Sequence, residues 1–417
     1  MLKTFQALSN HNYRLFWSGQ IVSLVGTWMQ STAQAWLVLQ LTGSPLAMGV
    51  VTALQTLPIL LFTLVGGVFA DRVAKRRFLI LTQSISALQA LALAVLVGTG
   101  HVQLWHVYTL AFLLGLINAF DNPTRQAFVV ELVGRKDLPN AVALNTSLFN
   151  AARIIGPAVG GLTIAALGVA GAFYANAISF VPAIVTLALM RSDLFYSIPQ
   201  PNKGNVVKQV SEGLGYVRHT TTAMIVVLMM GILGTFGYNF SVTLPLIAEF
   251  VFKTSAVGFG GVTAFMGVGS LLGGLALAYR SQATYRLLLG SSALFAVFLF
   301  ALALSRSYAL TLALLIPLGM ASIAYTATSN TLLQMNTPDH LRGRVMSIYF
   351  LLFAGSTPIG GFITGWLASR IGVPETIALE AVICFVGVIY GMRYYQRHQG
   401  EIPVEQQAGS RRPALRA

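Results

Sequence analysis

The stretch AVALNTSLFNAARIIGPAVGGLTIAAL, residues 141–167, decides the fold. It is apolar and long enough to cross a bilayer, because a membrane-spanning helix needs roughly 20 mostly apolar residues, yet it carries Arg153 near its middle. The whole chain of 417 residues has the same character, with 55% hydrophobic and 9% charged residues. Since about 25% of the residues in a typical soluble domain are charged, the sequence predicts a membrane protein.

Long intervals without Asp, Glu, Lys or Arg divide the chain. Residues 15–70 and 78–120 contain none of the four, and residues 138–190 contain only Arg153. Each interval is about twice as long as one span, so it predicts two helices joined by a short turn. Six further apolar runs lie at 222–246, 255–279, 286–304, 308–330, 345–369 and 374–395. The expected fold is an all-α polytopic membrane protein with twelve transmembrane helices in two pseudo-symmetric six-helix bundles.

Basic residues cluster before or at the first predicted span and after every second span. Of the 26 Lys and Arg residues, only Arg153, Lys253, Arg306 and Arg370 fall outside these clusters. Because Lys and Arg are enriched in cytoplasmic loops, we expect both termini in the cytoplasm. As a separate expectation, this multi-pass chain lies in a plasma membrane, the bacterial inner membrane. The net charge of +14 then indicates contact with anionic lipid headgroups, and we expect no nucleic-acid partner.

A weak internal repeat separates two halves. GRKDLPNAVAL at 134–144 precedes an apolar run with PAVGG, and TPDHLRGRVMS at 337–347 precedes one with PIGG. The expected organisation is a cytoplasmic N-terminus, a first bundle, a linker, a second bundle and a tail, at 1–12, 13–190, 191–221, 222–395 and 396–417. Apolar residues at helical spacing predict an amphipathic cytoplasmic helix in the linker, and the polar composition of the tail predicts disorder.

The motif GGVFADRVAKRR at 66–77 resembles that of major facilitator superfamily transporters, in which Gly precedes Asp-Arg and a basic cluster after the second helix. Ala74 stands where that motif often has Gly. DNPTRQAF at 121–128 and HLRGRVMS at 340–347 are similar to the drug-efflux branch that includes enterobactin-exporter-like and macrolide-efflux-like proteins. Thr27 follows Gly26, where branch members often have Asp.

This resemblance implies a secondary active transporter that works by alternating access. It implies export of a small amphiphilic organic molecule, such as a drug or siderophore, by proton antiport. Two alternatives stay open, an importer or facilitator of a small metabolite with the same fold and a non-transporting membrane receptor. The sequence lacks His-Glu-x-x-His, paired cysteines, a phosphate-binding loop and a nucleophile triad, so we expect no enzymatic activity. We expect a monomer in membrane lipid without a cofactor, driven by the proton gradient.

An acid at the head of the basic run predicts a conformational latch. Asp71 follows Gly67 and is followed by Arg72, Lys75 and Arg76. An acid here can pair with cations or face a helix N-terminus of the opposite bundle while the cytoplasmic side is closed. The other interpretation is positive-inside charge in a solvated loop. The expected partners lie at the ends of the other cytoplasmic loops and are Asp121, Arg125, Arg342 and Arg344.

The segment IIGPAVGG at 154–161 resembles the Gly-Pro motif in the fifth helix of antiporter members of the superfamily. Gly156, Pro157, Gly160 and Gly161 match its core. Proline inside a helix removes one hydrogen bond and bends it, and glycine lets a neighbouring helix approach closely. The motif favours export over import, and helix packing alone is the other interpretation.

Arg153 is expected to line a central cavity. It lies roughly 18 Å from the predicted cytoplasmic end of its helix at ~1.5 Å per residue, and exposure to lipid at that depth costs about 2.5–3.5 kcal/mol. Thr146 and Asn150 share its helix face. The first span carries a second polar stripe with Gln20, Ser23, Thr27, Gln30 and Gln34. The expected cavity residues are Gln30, Gln34, Asn118, Asn150, Arg153, Tyr238, Asn239, Tyr325 and Asn330. The alternatives are interhelical hydrogen bonds for the amides and a buried ion pair for Arg153.

Acidic residues are scarce within the predicted spans. Asp121 lies near a cytoplasmic helix end, Glu249 and Glu375 lie near the opposite surface, and Glu380 lies a few residues inside the last span. None is placed clearly at the midplane. The sequence therefore offers no obvious acid partner for Arg153 and identifies no group that binds the coupling proton.

Overall fold

The structure, a computed structural model, describes residues 3–70, 72–196, 206–280 and 283–398. In these ranges the chain is helical and forms no strand, which confirms the all-α prediction. The helices are α1 (His11–Thr42), α2 (Pro45–Ala70), α3 (Lys75–Gly98), α4 (Leu104–Leu189), α5 (Val206–His219), α6 (Thr221–Phe236), α7 (Phe240–Leu246), α8 (Ala256–Arg280), α9 (Tyr285–Leu304), α10 (Tyr308–Asn336), α11 (Asp339–Ile371) and α12 (Val373–Arg397).

Among the described residues, nine helical stretches are long and apolar enough to cross a membrane. One of them is α4, which runs for 86 residues. Gly134 and Gly168 interrupt its helical geometry, with φ angles of 68° and 72° that only glycine adopts readily. These breaks divide α4 into the segments α4a (104–133), α4b (135–167) and α4c (169–189). Because α1 is not one of the nine stretches, the count of twelve transmembrane helices stays a prediction.

The chain divides into two compact units. Unit 1 consists of Met1–Asn202 and Leu244–Ala264, and unit 2 consists of Lys203–Thr243 and Phe265–Ala417. Residues 244–264, which the sequence assigns to the second bundle, thus group with the first unit. The predicted bundle boundaries remain a prediction, and parts of the predicted linker and tail, 197–205 and 399–417, lie outside the described residues.

Unit 1 is built around α4, on which α1, α2 and α3 all pack. Glycines allow the close approaches, because helices without a Cβ at the contact can bring their backbones together. A Cβ on Gly66 of α2 would clash with the carbonyl of Ala119 in α4a, and one on Gly115 would clash with that of Gln55. Gly66 therefore packs within unit 1, whereas a Cβ on Gly67 would meet no atom within 4 Å.

Unit 2 repeats this packing between α8 and α10. A Cβ on Gly273 of α8 would come within 2.7 Å of the Met320 backbone, and one on Gly319 of α10 would clash with the carbonyl of Met266. Gly66 of α2 and Gly273 of α8 thus serve the same purpose in each unit. The helix α9 packs on α10 and α12, and α6 packs on α11 and α12.

The helix α5 lies in the predicted linker and docks on α11 within unit 2. The Tyr216 hydroxyl donates a 2.6 Å hydrogen bond to the carbonyl of Asn336, and the Glu212 carboxylate pairs with Arg344. A Cβ on Gly213 would lie 3.1 Å from the Arg344 carbonyl oxygen. These contacts hold α5 against the end of α10 and the start of α11.

Candidate functional site

Arg153 lies in α4b and faces α1. Its guanidinium carbon is 6.0 Å from the centroid of the Trp28 ring, which is within the range of a cation–π interaction. The Phe149 ring, one turn earlier on α4b, meets Trp28 edge to face at 5.6 Å. No acidic side chain in the described part of the chain lies within ion-pair distance of Arg153. Its partner is thus an aromatic face, with the side chain half-buried.

The backbone at Arg153 adds an acceptor to the same place. Pro157 lies four residues further along α4b and has no N–H to donate, so the Arg153 carbonyl loses its usual helical partner. Asn150 is half-buried and donates a 2.9 Å hydrogen bond to the carbonyl of Thr146, whose side chain is exposed. One face of α4b therefore presents a cation, a freed carbonyl and a polar amide.

The Gly-Pro motif positions α4b between two neighbours in unit 1. On one side α1 approaches so closely that a Cβ on Gly156 would clash with Trp28. On the other side a Cβ on Gly161 would lie 2.7 Å from the Ala256 carbonyl oxygen, and one on Gly260 would lie 2.8 Å from the Pro157 carbonyl oxygen. The glycines at this contact thus let the start of α8 pack directly against α4b beside Pro157.

We expect Gly161→Ala to destabilise the contact between α4b and the start of α8. Its methyl group must push back the Ala256 carbonyl, and overpacking of this kind costs about 1–3 kcal/mol. Gly231→Ala in α6 is the matched control, because a Cβ there would meet no atom within 4 Å and alanine favours a helix. The melting temperature in detergent should be lowered for Gly161→Ala alone. Equal melting temperatures for both variants would contradict the contact.

The polar stripe on α1 is engaged in hydrogen bonds between helices of unit 1. Gln30 is 3% exposed, donates to Gln89 of α3 at 3.0 Å and accepts from Asn176 of α4c at 2.5 Å. Gln34, also 3% exposed, donates to Gln55 of α2 at 2.9 Å. These positions correspond to the interhelical alternative that the sequence left open, and their assignment to a substrate cavity stays a prediction.

Asp121 of α4a is the centre of a buried polar network in unit 1. It is 2% exposed and accepts hydrogen bonds from Thr82 at 2.5 Å, from Gln83 at 3.2 Å and from two nitrogens of Arg125 at 2.5 and 3.0 Å. The guanidinium of Arg125 also donates to Gln20 of α1. The network joins α1, α3 and α4a through one charge pair. Thr82 and Gln83 were not recognised as functional residues in the sequence.

Two residues of the basic run, Lys75 and Arg76, find partners in unit 1. Lys75 Nζ lies 2.7 Å from a carboxylate oxygen of Glu131, and Arg76 donates to the carbonyls of Leu187 and Ala188 at the end of α4c. Cations favour this position because carbonyls at a helix C-terminus are unpaired. Arg72 is exposed, and Asp71, the acid of the predicted latch, lies outside the described residues.

The two predicted arginine partners on α11 have contacts in unit 2. Arg342 donates to the carbonyl of Gln334 at 3.1 Å, and Arg344 pairs with Glu212 of α5. Asp121 and Arg125 pair with each other inside unit 1. The role of all four residues in a latch stays a prediction.

Two predicted aromatic site residues of unit 2 pack in one cluster. The Tyr238 ring stacks on Phe295 at 6.4 Å, and its hydroxyl accepts from Ser322 at 3.2 Å. Tyr325 is fully buried, lies 6.5 Å from the same Phe295 ring, and donates to the carbonyl of Met229 at 3.2 Å. Tyr238 stays half-buried and Tyr325 forms part of the core.

The three remaining predicted amides have different surroundings. Asn239 is 1% exposed, and its side-chain carbonyl oxygen has no hydrogen-bond donor within the described ranges. It lies beside Gly360 of α11, where a Cβ would come within 2.5 Å of that oxygen. Asn330 accepts from Gln334 on the same helix at 2.5 Å, and Asn118 is half-buried in α4a.

A second buried carboxyl group lies in unit 2. Glu380 of α12 is 2% exposed and accepts a 2.5 Å hydrogen bond from the Thr364 hydroxyl of α11. Cys384 lies one turn further along α12 and is also buried. No basic side chain in the described ranges forms an ion pair with Glu380. The sequence showed an acidic residue inside the last predicted span. Its burial and its hydrogen-bond partner depend on how α11 and α12 pack.

Comparison with known proteins identifies relatives along almost the whole chain. A family model described as "Transmembrane secretion effector" matches residues 2–414. The multidrug efflux pump Tap of Mycolicibacterium fortuitum is 29% identical and covers 87% of this chain and 91% of its own. The Staphyloferrin A transporter of Staphylococcus aureus is 24% identical, over 90% of this chain and 95% of its own. Macrolide efflux protein A of Streptococcus pyogenes is 24% identical and covers 88% and 92%.

Solved structures share the fold. The nucleoside transporter NupG superposes with a TM-score of 0.75 at 12% identity, over 93% of this chain and 99% of its own. A bacterial homologue of the human lysosomal transporter Spinster superposes with a TM-score of 0.72 at 13% identity, over 98% and 100%. At these identities the likeness shows the fold alone.

Proposed function

Because this chain belongs to the transmembrane secretion effector family of the major facilitator superfamily, we propose that it exports a small amphiphilic organic molecule from the bacterial cytoplasm. Transport proceeds by alternating access and is driven by proton antiport. The expected substrates are drug-like or siderophore-like molecules, in keeping with the relatives named as a multidrug efflux pump, a macrolide efflux protein and a Staphyloferrin A transporter.

The observation that carries this proposal is the pairing of Arg153 with Trp28. A guanidinium inside a membrane-spanning segment is costly unless it faces protein or water, and this one has an aromatic ring as its partner. An aromatic face, a cation and the freed Arg153 carbonyl together suit a molecule with a flat apolar body and polar or anionic groups. A planar guanidinium also binds carboxylates in a bidentate manner, which favours substrates of anionic character.

Proton coupling requires a group that binds and releases a proton during the cycle. Carboxyl groups inside membrane segments serve this purpose in pumps and transporters. Glu380 meets the chemical requirement, because it is buried in an apolar span next to a hydroxyl and forms no ion pair in the described ranges. Asp121 is less suited, because its charge already pairs with Arg125. We therefore assign the proton to Glu380 within this proposal.

Inside-out membrane vesicles with an acidified interior test the proposal. Export by antiport appears there as substrate uptake, and we expect a severalfold acceleration by the pH gradient that nigericin removes. A macrolide, an anionic siderophore and a lipophilic cation are the probes. Export would be contradicted if no probe is taken up faster than by vesicles that lack the protein. It would also be contradicted if the pH gradient accelerates release of a probe and not its uptake.

The Glu380→Gln variant tests the coupling separately. The amide keeps the hydrogen bond to Thr364 but binds no proton at physiological pH, so uptake should continue down a substrate gradient and lose its response to the pH gradient. Thr364→Val is the matched control, because it removes the hydrogen bond and keeps the carboxyl group. If uptake by Glu380→Gln still follows the pH gradient, another group carries the proton.

A further inference from the structure

A groove within unit 2 lies beside the packing contact between α8 and α10, and none of the candidate site residues described above lines it. Its volume is about 740 Å³, within the range of roughly 300–1,000 Å³ for ligand sites. Three helices form its walls, with Gly273 on α8, Gly290 on α9 and Ala321 on α10. Gly290 of α9 leaves open space in it, because a Cβ there would meet no atom within 4 Å, and Leu294, which is 53% exposed, lies at its side.

One end of the groove carries a positive charge. Arg286 lines it and is the second residue of α9, two positions after the N-cap Thr284. The Arg286 side chain is exposed and has no hydrogen-bond or ion-pair partner in the ranges that the structure describes. Its charge is therefore free to meet an anion, and the sequence places it in a cluster of cationic residues at the end of a span.

The length of the groove matches one leaflet of a bilayer. Leu294 and Phe298 line the groove at positions eight and twelve residues beyond Arg286, which corresponds to roughly 12 and 18 Å along a helix. Half of the ~30 Å hydrocarbon core is about 15 Å. An acyl chain that enters beside Arg286 thus reaches the far end near the middle of the membrane.

We propose that this groove binds an anionic phospholipid, with the phosphate at Arg286 and an acyl chain between α8, α9 and α10. Charge complementarity selects the headgroup, and apolar lining residues that continue onto exposed Leu294 suit a chain that arrives from the surrounding bilayer. The groove contains neither Arg153 nor Glu380. The lipid bound there is a structural ligand and is not the transported molecule.

Two variants test the two halves of the site in the full-length chain. Arg286→Gln removes the charge, and Gly290→Leu fills the groove, because a Cβ at 290 meets no atom within 4 Å and so adds bulk without a backbone clash. The matched control for the charge is Arg393→Gln, at an exposed arginine on α12. The matched control for the added bulk is Gly274→Leu, because a Cβ at 274 also meets no atom within 4 Å and this residue does not line the groove.

Native mass spectrometry of delipidated protein, titrated with dioleoyl phosphatidylglycerol or dioleoyl phosphatidylcholine, measures the first bound lipid. We expect wild type to prefer phosphatidylglycerol about fivefold, the factor for ~1 kcal/mol per basic residue near an anionic headgroup. Arg286→Gln should lose this preference and Arg286→Lys should keep it. Gly290→Leu should lower the affinity for both lipids. The controls should resemble wild type. Equal affinities in wild type, or an unchanged preference in Arg286→Gln, would overturn the proposal even if Gly290→Leu fails to fold.

Discussion

Replacing Arg153 with alanine is expected to lower transport about 10- to 100-fold while the protein stays folded. In the proposed substrate site the variant removes a charged hydrogen-bond donor, and hydrogen bonds to charged groups contribute about 1.5–3 kcal/mol. The decrease in stability should be small, because the substitution removes a cation–π pair with Trp28, and such a pair is worth roughly 0.5–1 kcal/mol at a partly exposed site.

The measurement compares flux per folded molecule with thermal unfolding of the same preparation. Arg153→Lys keeps the charge but lacks the planar fork, so its transport should fall between wild type and alanine. Arg370→Ala, at an exposed arginine near the end of α11, is the control for removal of one positive charge. Normal flux in Arg153→Ala, or a decrease in flux that follows entirely from a smaller amount of folded protein, would remove Arg153 from the substrate site.

The Asp121→Asn variant is expected to lower stability by about 3 kcal/mol. It leaves Arg125, whose side chain is 23% exposed, without its anion in the middle of three packed helices, and breaking a buried pair costs about 3–5 kcal/mol. The lower end of that range applies because Arg125 keeps some exposure. For a unit of about 200 residues this corresponds to a melting temperature lower by about 6–12 °C.

A double variant distinguishes the charge pair from simple packing. Asp121→Asn with Arg125→Gln removes both charges and should recover much of the stability, because neither partner is then buried unpaired. The control is Glu212→Gln, whose ion pair with Arg344 has side chains 36% and 33% exposed. Such exposed pairs contribute at most about 1 kcal/mol. A melting temperature unchanged in Asp121→Asn would show that the network does not stabilise unit 1.

The helical membrane fold followed from the sequence because charge is excluded from hydrocarbon over long intervals. The interval 138–190 was expected to contain two helices, and Gly168 breaks α4 within it. The charged segment 122–137 was less informative, since helix continues through it to Gly134. Basic residues signal orientation, not the end of a helix, so the sequence placed a loop where the backbone stays helical.

The partners of the polar residues could not be predicted. The polar stripe on α1 indicated that Gln30 and Gln34 face away from lipid. Side chains that face a cavity and side chains that face a neighbouring helix give the same periodicity, so the sequence could not distinguish them. Likewise Arg76 was expected in a loop, and it donates to carbonyls at the end of α4c. These pairs join residues 21 to 146 positions apart on different helices, and only helix packing decides them. Arg153 was identifiable because it is the only charged residue in the interval 138–190.

The hydrogen bonds of α1 bear on how the chain enters the membrane during synthesis. Gln30 is completed by Asn176, a residue 146 positions later, and at about 5–20 residues per second the ribosome needs roughly 7–30 s to make that partner. Gln34 of α1 meets its partner Gln55 only 21 positions later, whereas Gln30 lacks one of its two partners during this interval. The polar contacts of α1, which is not among the nine sufficiently apolar stretches of the described chain, are therefore completed only when α4c has been synthesised.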